Sequence, residues 1–235
     1  MRKRMVPLVP QALTFGTLIS GLVVIILAIE GHLGWAGSVV LIGVLTDTLD
    51  GKIARATRTG SDLGLQLDSL ADMVCFGVGA PAFLYQYLRS LQIPTLAGLL
   101  IISPVPLAGA FRLARFNLQP AKSGREDYTT GLAITSAGGI LALAGLSGLH
   151  YQPSLLPLYL PAVASLPLLL SVLMASRIQF PTFGAITRRR KTTVAVLSVG
   201  TLLSIPFTPQ LVSLTILLSY VGFGLARAGY GLTDR

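Results

Sequence analysis

Asp47 and Asp50 stand three residues apart, and Asp68 and Asp72 four apart, in a chain with only nine Asp and Glu among its 235 residues. On a helix, either spacing puts both carboxylates on one face. The connection from Gly51 to Gly64 is short, so the two helices that carry the acids are antiparallel neighbours. All four carboxylates then converge at one depth. Each acid costs about 2.5–3.5 kcal/mol at the centre of a membrane helix and less near its end, and repulsion between like charges adds to that cost. Two divalent cations would neutralise the cluster. An oxygen-only donor set with no nearby Cys or His suits Mg2+ or Mn2+ better than zinc. The competing explanation is ordinary salt bridging to Lys52, Arg55 and Arg58. It serves well for one Asp–Arg pair and less well for four acids at matched spacings.

Small residues accompany the acids. Gly51 follows Asp50 directly, Gly64 precedes Asp68 by one turn, and Ala54 extends the same narrow strip. Where a side chain is missing, a ligand can approach backbone closely. Arg55 adds a guanidinium able to fork onto phosphate oxygens. Metals, small residues and an arginine together describe a pocket for a flat base and a diphosphate. Taken singly, either glycine is better explained by close helix packing.

The elements that must hold these residues are membrane spans. The sequence is 52% hydrophobic and only 11% charged, with a mean hydropathy of +0.73, whereas soluble domains carry about 25% charged residues. Apolar blocks of about 20 residues give about eight spans: Gln11–Glu30, Leu33–Ala54, Leu65–Leu88, Thr95–Arg115, Gly131–His150, Ser154–Ser176, Thr192–Phe207 and Leu211–Arg227. With the N-terminus in the cytoplasm, Arg89 alone of the 18 Lys and Arg falls outside. The positive-inside rule expects such a bias, and a missed span would scramble it. The net charge of +9 is thereby explained without nucleic acid. No small-residue cleavage site follows the first apolar run, so it reads as a span and not a cleaved leader. The lone Cys75 excludes an intrachain disulfide. No repeat or long linker divides the chain, which reads as a single integral membrane domain over 1–235, with its signature at 47–72 and the last two helices, 192–227, peripheral. His32 and His150 fall on the outer side, away from the acids. The run Arg188-Arg189-Arg190-Lys191 fixes orientation.

The pattern Asp47-x-x-Asp50-Gly51-x-x-Ala54-Arg55, eight residues, Gly64-x-x-x-Asp68-x-x-x-Asp72 resembles the signature of the CDP-alcohol phosphotransferase family at every fixed position. The resemblance implies an all-α polytopic membrane enzyme, usually a homodimer, with a two-metal site open to the cytoplasm. Such an enzyme displaces CMP from a CDP-linked lipid with the hydroxyl of a second substrate. Carried over by position, Asp47, Asp50, Asp68 and Asp72 are expected metal ligands, and Asp72 is also the candidate general base. Gly51, Ala54, Arg55 and Gly64, with Thr14 of the first span, are expected to hold the CDP-lipid.

Three further stretches are similar to the serine-transferring branch of that family: DSLADMVCFGVGAP from Asp68, AFRLARFN from Ala110, and MASRIQFPTFG from Met174. The expected substrates are therefore CDP-diacylglycerol and L-serine, at the plasma membrane. Serine needs a partner for its carboxylate. Arg112 and Arg115 are candidates to grip it, with Asn117 to orient the amino acid, and Arg177 and Thr182 as weaker candidates. Both arginines also suit plain anchoring in the inner leaflet. The chain departs from the branch at Gln11, where Asn is usual, and at Ala133, where Pro is usual. Glycerol phosphate, inositol phosphate or an ether-lipid donor would use the same chemistry. A cation transporter would place acids at mid-membrane on several spans, but the outer halves of the second and third spans carry none.

Overall fold

The computed structural model describes residues 8–57, 61–118, 128–149, 156–181 and 222. Helix α1 spans Leu8–Ile29 and α2 spans Leu33–Thr57. A third rod begins as α3, Asp62–Asp72, passes through a π-helical segment, Met73–Gly79, and ends as α4, Ala80–Ser90. Next come α5, Thr95–Ile102, and α6, Pro104–Asn117, then α7, Ile134–Gly148, and α8, Leu156–Ala175. Among the described residues, four stretches are long and apolar enough to cross a membrane: Gln11–Ile29, Leu33–Ile53, Asp62–Ser90 and Thr95–Asn117. Helices α7 and α8 occupy the fifth and sixth expected spans. The seventh, and all of the eighth but residue 222, lie outside the described residues, as do Thr182, the basic run Arg188–Lys191, Arg58, Lys122 and Arg125.

Helix α1 shows how the bundle is organised. Phe15, Ile19, Leu22, Ile26 and Ile29 are exposed at alternating four- and three-residue steps, which is one helical stripe. The opposite face carries buried Thr14, Thr17, Val24 and Ala28. The apolar stripe therefore faces outward, as it does when the solvent is hydrocarbon, and small or hydroxyl residues mediate contact between helices. Gly21 is such a contact. A Cβ there would stand 2.7 Å from Cys75 Cα and 2.8 Å from Cys75 N, so only glycine lets α1 lie against the π-helical backbone. Gly43 of α2 receives the Cys75 thiol from the other side, which accounts for that cysteine's burial.

At the centre is α7, whose residues from Ile134 to Ser147 are buried except for the half-exposed Thr135. Its neighbours include Phe76 and Phe83, which are fully buried. The structure adds an element where the expected spans leave only connections. Tyr128–Thr130 (β1) pairs antiparallel with Gln179–Pro181 (β2), with Thr129 opposite Phe180. Gly131 follows β1 with φ of 79°, and its N–H donates to the Ile178 carbonyl at 2.8 Å. The expected fifth span thus begins its helix at Ile134 and not at Gly131.

Candidate active site

The acid-bearing ends of α2 and α3 meet as the spacing predicts. One carboxylate oxygen from each of Asp47, Asp50 and Asp68 lies within 4.8 Å of the others, a grouping able to hold a metal ion. Asp50 and Asp72 are buried, at 4% and 7% exposure, while Asp47 and Asp68 are half-exposed. Asp72 is close enough to Asp47 and Asp68 to be repelled by both and close enough to Arg112 to be attracted. Its Oδ1 is buried with no hydrogen-bond partner.

Each half of the cluster is built locally. Ser61 caps α3, its Oγ accepting from the Gly64 N–H at 3.0 Å, and Asp62 in the first turn complements the helix dipole. Gly64 therefore sits in the capped first turn, where a Cβ would meet only Ser61 Oγ at 3.1 Å. Directly after Asp72 the helix widens into the π-helical segment, a feature often found at functional sites. It turns the following residues relative to the acidic face. Gly51 continues α2 just past Asp50, and Ala54 and Arg55 lie in its last turns.

Hydroxyls hold the acids from two other helices. Thr14 Oγ1 of α1 donates to Asp50 Oδ2 at 3.0 Å in a buried contact. Thr135 Oγ1 of α7 donates to Asp47 Oδ2 at 3.0 Å. One turn beyond Thr14, the Thr17 and Thr46 hydroxyls lie 2.9 Å apart and continue the α1–α2 ladder. Thr14 was expected on the donor lipid and is found on an acid. Thr135 was not expected at all, and only its place in the first turn of an apolar span, opposite the acids, could have signalled it.

The candidates on α6 separate. Arg112 is buried at 8% exposure, lies near enough to Asp72 for the two charges to attract, and has its guanidinium 5.7 Å from the Phe116 ring centroid. Arg115 points elsewhere. Its Nη2 donates to the carbonyls of Thr130 (3.1 Å), Met174 (3.3 Å) and Ser176 (3.0 Å), and its Nη1 to Ala175 (3.1 Å). It thereby closes the C-terminal end of α8 and joins it to β1, satisfying carbonyls that a helix end leaves open. The sequence offered it as a partner for the serine carboxylate; here its donors are turned to these carbonyls. Asn117 Nδ2 donates to Gln66 Oε1 (3.1 Å) and Ser69 Oγ (3.0 Å) on α3. Arg177 is exposed beyond the end of α8.

A helical, membrane-spanning bundle with converging acids at one end of two adjacent spans defines a polytopic membrane protein with a metal-competent polar site. Residues 7–160 match the CDP-alcohol phosphatidyltransferase family, and the chain belongs to it. It is 30% identical over 224 residues, 94% of this chain and 90% of the relative, to a protein of Helicobacter pylori named CDP-diacylglycerol--serine O-phosphatidyltransferase. A Bacillus subtilis protein of the same name is 33% identical over 74% of this chain and 90% of its own length. An archaetidylserine synthase of Methanothermobacter thermautotrophicus is 33% identical over 73% of this chain and 69% of its own. Proteins of this family use divalent metals.

Proposed function

We propose that the protein transfers the phosphatidyl group of CDP-diacylglycerol to the hydroxyl of L-serine, releasing CMP and forming phosphatidylserine. The observation that carries this reading is the convergence of Asp47, Asp50 and Asp68 to within 4.8 Å beside buried Asp72, in a chain whose relatives are named for serine transfer. The serine oxygen attacks the lipid-bearing phosphorus in line, and the bond from that phosphorus to the CMP oxygen breaks.

The donor set fits hard divalent cations. It is all carboxylate, its oxygens are closely spaced, and Asp72 Oδ1 is buried with no protein partner. Asp47, Asp50, Asp68 and Asp72 would hold two of them, Mg2+ or Mn2+. Bound there, they would supply positive charge for the diphosphate and the departing CMP oxygen. The chain's own residues do the rest. Thr14 and Thr135 each take one oxygen of an acid and so fix which oxygen is left for a ligand. Gly51, Ala54, Arg55 and Gly64 form the strip against which cytidine and diphosphate lie. Asp72, through its oxygen not engaged by a cation, takes the proton of the attacking hydroxyl. Arg112 lies near this acid on α6 and holds the serine carboxylate. In the same reading the chain works as one membrane domain and a homodimer, with the site on the cytoplasmic side of the plasma membrane.

Purified protein in mixed micelles with CDP-diacylglycerol, L-serine and Mn2+ or Mg2+ should release CMP and form phosphatidylserine in equal amounts. Chelation or Asp47→Asn should abolish both. The archaetidylserine relative makes an ether-linked CDP-lipid the natural second donor, and glycerol phosphate and inositol phosphate complete the acceptor panel. Absence of CMP with serine, or turnover by Asp47→Asn in chelator, sinks the proposal.

A further inference from the structure

Helix α6 is tied to the bundle at three places. Near its middle, Gly109 approaches Ile134 and Met73 so closely that a Cβ would stand 2.7 Å from Ile134 Cδ1 and 3.8 Å from Met73 Sδ. Arg115 binds it to the end of α8. At its last residue Asn117 meets α3. There the Asn117 Nδ2 donates to Ser69 Oγ at 3.0 Å and to Gln66 Oε1 at 3.1 Å, and Ser69 Oγ lies 3.2 Å from Asn117 Oδ1. The Ser69 hydroxyl also reaches the Leu65 carbonyl at 3.1 Å.

The position of this contact gives it a consequence. Ser69 precedes Asp72 by three residues, roughly 4.5 Å along the helix, and Asn117 follows Arg112 by five, roughly 7.5 Å. The two helices run in opposite directions, since α3 leads away from the acidic end and α6 returns to it. Both charged groups therefore lie deeper than the Ser69–Asn117 contact, and at similar depth. A slide or tilt of α6 against α3 would change the separation of Arg112 from Asp72 directly. Gly109 restrains the middle of α6, and Asn117 restrains the end at the mouth.

We propose that Asn117 and Ser69 form a positioning latch that sets Arg112 opposite Asp72 and so determines how well the amino-acid acceptor is held in preference to water. The inference rests on the serine-transfer reading. It gives Asn117 a place beside the site, acting through Arg112, where the sequence suggested contact with the amino acid itself. The donor half of the site, on α2 and the first turn of α3, is untouched by the latch.

The test is a double-mutant cycle of Asn117→Ala, Ser69→Ala and the pair, on purified protein with CDP-diacylglycerol, L-serine and Mn2+. Each single variant should raise the KM for serine about tenfold, the size of one lost side-chain contact near a charge. Each should also increase the share of CMP released without phosphatidylserine, as water replaces serine. The KM for CDP-diacylglycerol should stay within about twofold. The double variant should be no worse than Asn117→Ala, which already removes the Ser69 contact together with that to Gln66, and Ser69→Thr should restore the wild-type values. An unmoved serine KM, effects that multiply in the double variant, or an equal rise in both KM values would overturn the latch. Wild-type protein that turns over only with another alcohol would sink the serine reading instead, and the same cycle on that alcohol would then test the latch. No turnover with any acceptor would sink both.

Discussion

The acids are placed by hydroxyls from outside their own helices. Asp50 and Asp47 each receive one threonine, from α1 and α7 respectively. A hydrogen bond to a charged group contributes about 1.5–3 kcal/mol, and partners of ligating carboxylates typically affect metal affinity by about 10–100-fold. Thr135→Val should therefore weaken Mn2+ binding about tenfold, read by titration of the purified protein without substrate, with Thr135→Ser close to wild type. Thr14→Val should do the same through Asp50, and more strongly, because that contact is buried. Unchanged Mn2+ affinity in both valine variants would show that the hydroxyls merely fill space. Arg115 teaches the complementary lesson. In sequence it is indistinguishable from Arg112, three residues earlier, yet its guanidinium closes a helix end while Arg112 lies near an acid.

Between helices, the close approach of α1 to the π-helical segment fixes where Asp72 sits relative to Asp50. Gly21→Ala puts a methyl 2.7 Å from backbone that cannot rotate away, and overpacking of this kind costs about 1–3 kcal/mol. The thermal midpoint in detergent should fall, whereas Gly16→Ala, with nothing within 4 Å of the new Cβ, should leave it unmoved. Equal melting of the two variants would refute the close contact. The two spans carrying the acids were legible in sequence because helical period and carboxylate cost leave few alternatives. The π-helical turn after Asp72 was not, since Met73–Gly79 is an apolar run in which one extra residue per turn alters no polar pattern. The β1–β2 pair was equally hidden. Three-residue strands show too little alternation to separate from loop, and their pairing joins segments roughly fifty residues apart. Thr135 escaped notice because a hydroxyl in an apolar helix has no period of its own.

Across the whole molecule, the charge distribution and the site must agree on one side of the membrane. The ends of α2 and α3 near Thr57 and Ser61 lie beside the acids, and the end of α4 at Ser90 lies at the far end of the same rod. That rod, Asp62–Ser90, has 29 residues, roughly 43 Å at 1.5 Å per residue, enough to cross the hydrocarbon core and its interfaces. Among the described residues, Lys52, Arg55, Arg112, Arg115 and Arg177 lie toward the acidic end and Arg89, exposed, at the other, so the acidic end should face the cytoplasm. The single cysteine, Cys75, is buried and can be replaced by serine to give a background free of thiols, in which Ser61→Cys and Ser90→Cys place one thiol at each exposed end. In intact cells a membrane-impermeant maleimide should label the Ser90→Cys protein and spare Ser61→Cys. In inverted vesicles the pattern should reverse, and only there should added CDP-lipid and serine reach the site. Labelling of Ser61→Cys in intact cells would invert the topology and place the acids outside, where the cytoplasmic pools of a nucleotide-activated lipid and an amino acid could not meet them.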